Sequence, residues 1–121
     1  MDPHAINMVM DHEELEVHIT PVNIAVNMKV NRKDIELYLK DKEDLRGFLH
    51  ERWMNHMDGG YNSGVIWDLV PVYAILHPDW LEEVEVQTPP ENTRRNIFVT
   101  KSIDDDKMRK DFFETMQNYF E

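Results

Sequence analysis

The alternation of apolar and polar side chains divides the chain into a short series of elements. In "DPHAINMVMD", Ile6, Val9 and Met10 fall on one face of a helix. Asp2 is placed to cap it, and Pro3 fits the first helical position, where the missing N–H costs nothing. Leu15, Val17 and Ile19 alternate with polar residues, as in a strand with one buried face. Pro21 interrupts this pattern, and "VNIAVNMKV" continues as a second extended piece. "NRKDIELYLKD" predicts a short helix, with Asn31 as cap, Asp34 three residues on, and Ile35, Tyr38 and Leu39 as its stripe. "EDLRGFLHERWMNHM" predicts a second, with Leu45, Phe48, Leu49 and Trp53 at i, i+3, i+4 and i+8.

The glycines of "DGGYNSG" make Asp58–Gly64 a loop. The almost wholly apolar "GVIWDLVPVYAILHPDW" then reads as a buried helix from about Leu69 to Leu76. Pro78 stops it, and Pro71 fits only its first turn. "EEVEVQT" and "NIFVTKSI" read as strands, with "PPENTRR" between them. "DDDKMRKDFFETMQNYF" reads as an amphipathic helix. Its acidic start suits the helix dipole, and Met108, Phe112, Met116 and Tyr119 form its apolar face. The order is helix, strand, three helices, two strands, helix. That is α/β, helix-rich, with too few strands for a complete doubly wound sheet.

The 121 residues suit one domain or part of one, and three Trp, five Phe, four Tyr and eight Met supply a core. A formal net charge of −11 repels phosphate backbones and anionic lipid. Nucleic acid and membrane are therefore poor partners, and cations better ones. With no cysteine, disulfides and thiolate metal sites are excluded. No apolar run approaches the roughly 20 residues of a membrane span. The N-terminal stretch lacks a charged-then-apolar signal pattern, so the expected location is cytoplasmic.

Asp68 is the one carboxylate near the start of the apolar stretch, and it has two readings. It can be an N-cap, or it can be a ligand for a hard cation such as Ca²⁺. Calcium takes six to eight oxygens, so the second reading needs ligands from elsewhere. The histidines invite a zinc site, but neither His12 with His18 nor His50 with His56 has the i, i+4 spacing of a helical HExxH pair, and surface roles are expected. His77, before Pro78, is expected to be structural and Trp53 to join the core. Arg94 and Arg95 are expected to offset nearby acids.

Together, "VIWDLVPVYAILHPDW" and "VQTPPENTRRNIFV" resemble the C-terminal part of a nucleoside hydrolase of the inosine–uridine-preferring family. Trp67-Asp68 matches that family's His-Asp or Trp-Asp pair leading into an apolar helix, and His77-Pro78-Asp79-Trp80 its closing turn. "DPHAINMV" is similar to the family's Asp-Pro-Glu-Ala-Ala helix, "ITPVNIAVNMKVNRKDIELYL" to the strand and helix after it, and "NTRRNIFV" with "SIDDDKMRKDFFETMQNYF" to its closing strand and last helix. The series runs in order along essentially the whole chain. The resemblance implies a Rossmann-like domain of which residues 1–121 are the C-terminal segment. It also implies hydrolysis of the N-glycosidic bond of ribonucleosides, with Ca²⁺ holding the ribose hydroxyls and a water. Asp68 then becomes a calcium ligand. Trp67 faces the base and leans the site towards purines, and Tyr61 and His56 lie on or beside a flap over the nucleoside. The family's Asp-rich calcium motif, of the form Asp-x-Asp-x-Gly-x-Asp-Asp, has no match here; "SIDDDKM" lacks the glycine and reads as first-turn acids. No catalytic base is matched, so the chain by itself is expected to be inactive. Its implied partner is the missing N-terminal half, or another copy of itself. The alternative is a non-catalytic interaction or assembly module derived from the same fold.

Overall fold

A computed structural model describes residues 2–60 and 63–121. Asp2 accepts hydrogen bonds from the His4 and Ala5 N–H groups at 3.0 and 3.2 Å and opens helix α1 (Pro3–Asp11), as expected. Strand β1 (His18–Ile19) is shorter than the alternation predicts. The segment after Pro21 corrects the sequence reading. Val22–Ala25 is a helical turn, α2, and only Lys29–Asn31 is extended, as β2. The Pro21 carbonyl accepts the Ile24 and Ala25 N–H groups, so the chain turns at once instead of running on. That turn buries Ala25 and Met28 rather than alternate residues.

Asn31 accepts the Asp34 N–H at 2.9 Å and starts α3 (Arg32–Leu39). Asp44 caps α4 (Leu45–Asp58). The buried face of α4 is rotated from the expected one. Leu45 and Phe48 are exposed, whereas Arg46 and Met57 are buried and Leu49 and Trp53 pack against the core. Arg46 is drawn inward by its bonds to Asp44, and the stripe becomes Arg46, Leu49, Trp53, Met57, still at helical spacing. Gly60, at φ +106, adopts the left-handed conformation that ends many helices.

Strand β3 (Ser63–Val65) pairs antiparallel with β2. Helix α5 (Leu69–Leu76) has the expected bounds and passes through a 3-10 turn, Pro78–Trp80, into β4 (Leu81–Gln87). A hairpin joins β4 to β5 (Asn96–Ile103), with an irregularity between Glu82 and Glu83. β1 lies parallel to β5, His18 opposite Phe98, giving the order β1-β5-β4. Helix α6 (Asp105–Phe120) closes the chain, capped where Asp104 accepts the Lys107 N–H. The result is a helix-rich mixture of α and β with two small sheets.

Two apolar clusters hold these elements. One joins Val30, Ile35, Leu39, Met57 and Phe113; the other joins Met28, Val70, Tyr73 and Met108. Helix α6 feeds both. Its fully buried residues are Met108 and Phe113, while Phe112 and Met116 pack partly and Tyr119, expected inside, is 80% exposed. Helix α5 is likewise not buried throughout. Val70 and Tyr73 are inside, but Val72, Ile75 and Leu76 are exposed. A helix packed from one side buries one stripe, however apolar the rest of it. No helix among the described residues is long and apolar enough to cross a membrane.

Candidate functional site

Trp67 and Asp68 sit at the tip of a turn anchored on both sides. Before it, β3 is paired to β2, and the Ile66 N–H donates to the carbonyl of fully buried Met28 at 2.9 Å. After it, Val70 and Tyr73 are packed in the second cluster. The Leu69 N–H donates to the Ile66 carbonyl at 3.3 Å and closes the turn. Asp68 has φ −88 and ψ 0, the values of the third residue of a type I turn. That backbone does not bring its carboxylate over the following N–H groups, and the side chain makes no cap hydrogen bond. The N-cap role read from the sequence is therefore not fulfilled. Both side chains face outward, with Trp67 45% exposed.

The other expected site residues are placed less closely. His56 is exposed on the last turn of α4. Tyr61 lies outside the described residues. Of the expected Asp58–Gly64 loop, Asp58 ends α4 and Ser63 already begins β3. Among the described residues no group of three or more His, Cys, Asp or Glu could hold a metal ion. Asp68 offers at most two of the six to eight oxygens that calcium takes.

Polar side chains elsewhere serve the fold. His77 stacks on Trp80 with ring centroids 3.9 Å apart, as a structural role requires. Asp105 and Asp106 pair with Arg109 on the first turns of α6. Arg95 lies close enough to the Asp11 carboxylate to interact with its charge, as expected of a cation that offsets acids, and it does more. Its guanidinium donates to the carbonyls of Val9 and Met10, each at 2.8 Å, and of Leu15. It thus fastens the C-terminal end of α1, a helix with no buried residue of its own. Asp11 assists by accepting the Thr93 N–H and the Asn92 amide, bonds that hold its carboxyl below the usual range.

Two surface hollows stand out. A cleft of about 550 Å³ between α3 and α6 is lined by Lys29, Asp34, Tyr38 and Lys110. An apolar trough of about 360 Å³ lies between α5 and α6, lined by Leu69, Val72, Leu76, Phe112 and Met116. At its edge the Tyr73 hydroxyl donates to Asp111 at 2.8 Å; burial, then that carboxylate, push its pKa up. No protein-family model matches the chain, and no curated protein matches it.

Proposed function

We propose that this chain supplies one wall of a ribonucleoside N-glycosidase site, as the C-terminal portion of a nucleoside-hydrolase-like domain acting in the cytoplasm. In this reading Asp68 is one oxygen ligand of a calcium ion whose other ligands come from outside residues 1–121. Trp67 offers its plane to the base, and His56 and Tyr61 are the further candidates to touch it. The observation that carries the reading is the state of Asp68. Its carboxylate is exposed at the tip of a turn anchored from both sides, beside an exposed indole, and no cap bond explains it. Support also comes from the ordered resemblance of the whole chain to that family.

The test is calcium calorimetry on this chain alone and mixed with the family's N-terminal portion, which carries the Asp-rich motif. Release of free ribose from inosine is the second readout. The chain alone is expected to show no saturable binding. The mixture is expected to bind calcium and release ribose, and to lose both with Asp68→Ala. A mixture that behaves like its Asp68→Ala counterpart overturns the proposal. Saturable binding by the chain alone, lost in Asp68→Ala, would replace it with a complete site on this chain.

The trough between α5 and α6 favours a second reading, a non-catalytic assembly module. Apolar side chains exposed together on two adjacent helices mark an interaction surface more often than a bare monomer face. That reading expects a stable complex with another chain and no dependence of it on Asp68.

A further inference from the structure

β1 is held to the sheet by little main-chain bonding. It pairs with β5 over only His18 and Ile19, with the Phe98 N–H donating to the Val17 carbonyl at 2.9 Å. The His18 side chain adds a second attachment. Its ring stacks on Phe98 of β5, with centroids 4.7 Å apart, and reaches over that strand to β4. Nδ1 lies 2.7 Å from a Glu83 carboxylate oxygen, and Nε2 lies 2.6 Å from one of Glu16.

Both contacts are of hydrogen-bond length, and both partners at pH 7 only accept. A neutral imidazole has one N–H and one lone pair, so it can satisfy one carboxylate and must face the other with electron density. Only the imidazolium satisfies both. We propose that protonated His18 is a pH-operated staple that ties edge strand β1 across β5 to β4, and that loss of its proton frees β1 from the sheet.

The surroundings leave control with this one group. Glu85 shares the sheet face with Glu83 but is engaged by the Asn96 amide at 3.0 Å. β5 presents Phe98 and Thr100, and α5 presents Pro71, Ala74 and Ile75. The part of α1 beside the strand is apolar, through Ile6, Val9 and Met10. None of these side chains of β5, α5 and α1 is ionisable. The bond to Glu16 lifts His18 above the ordinary imidazole range, with Glu83 adding to it and burial opposing. A raised folded-state value fixes the sign: the staple is complete below about pH 6.5 and is lost as pH rises through the folded value.

Ring resonances of His18 and hydrogen exchange at the Phe98 amide, followed by NMR from pH 5 to 9 on the full chain, test this. His18 is expected to titrate above about 6.5. Through that titration Phe98, corrected for the intrinsic rise of exchange with pH, is expected to lose protection about three- to tenfold. The effect stays modest because partly exposed partners are screened; the His18 side chain is 42% exposed. Amides between β4 and β5 should stay protected, which separates release of β1 from unfolding. Glu83→Gln is expected to move the release to lower pH, and His18→Gln to remove its pH dependence. A His18 that titrates at or below the ordinary value overturns the proposal. So does a Phe98 protection that stays flat across the titration, or one that responds equally in His18→Gln.

Discussion

Asp44 and Asp68 hold the same position, one residue before a helix, under different constraints. Asp44 has extended backbone, φ −106 and ψ −161, and accepts the Arg46 N–H at 2.9 Å. The same carboxylate receives the Arg46 guanidinium at 2.7–3.2 Å. That guanidinium is buried, lies 5.3 Å over the Phe120 ring and stands 3.5 Å from Glu121, so it joins the head of α4 to the end of α6. Asp68, at ψ 0, makes no such bond. Asp2, Asn31 and Asp104 side with Asp44, each accepting an N–H from its own helix. Four of these five heads carry an aspartate and the fifth an asparagine, all able to cap, so the turn that leads into each helix decides what the side chain can do. At Asp68 the turn leaves the carboxylate for something outside the helix.

The most disruptive way to break the capped side is Gly47→Ala. A Cβ there would stand 1.9 Å from the Lys42 carbonyl oxygen, a backbone atom that cannot swing away. The head of α4 must then back off from the preceding loop, at a cost of about 3 kcal/mol, read as a lower urea midpoint. Next comes Asp44→Ala, which removes the cap and strips the buried Arg46 of its main partner. It is expected to lower the thermal midpoint more than any other cap substitution, with Asp44→Asn intermediate. The Arg46 guanidinium beside Asp44 holds its carboxyl below the ordinary value of 3.8. A depressed carboxylate stabilises above its unfolded value and ceases to as pH falls through the folded one. The gap between Asp44→Ala and the natural chain should therefore narrow below pH 3.8, which urea unfolding at neutral and acid pH measures. Asn31→Ala removes a neutral cap and is expected to cost about 1 kcal/mol at any pH.

These differences mark what the sequence could convey. Caps at Asp2 and Asn31 were legible because each bond closes within three residues, and the bounds of α5 because two prolines confine it. Contacts distant in sequence were not. Whether Asp68 caps depends on a turn pinned by Ile66 to Met28, far back along the chain. Arg95 reads as one of two cations in a turn until β5 brings it to the end of α1. His18 and Glu83 meet only through the registers of β1 with β5 and of β5 with β4. The outward apolar face of α5 was missed for a related reason: composition marks a helix as apolar, but only its neighbours decide how many sides are covered. The position of the Trp67–Asp68 pair was thus readable, but the availability of its carboxylate was not.

The smallest effect on stability sharpens the comparison most. Asp68→Ala removes an exposed side chain with no cap bond, leaving only a weak interaction with the helix dipole. It is expected to change stability by less than about 0.5 kcal/mol, the range of ordinary surface substitutions. Urea unfolding beside Asn31→Ala puts the two on one scale. If both lose about 1 kcal/mol, Asp68 caps α5 in solution after all, and the observation that carries the proposed calcium role is gone. If Asp68→Ala is neutral while Asn31→Ala is not, the fold does not require a carboxylate at this turn. A residue that the fold does not use, held firmly beside an exposed indole, is then available to a ligand. The calcium experiment with the same variant can in that case be read without correcting for damage to the fold.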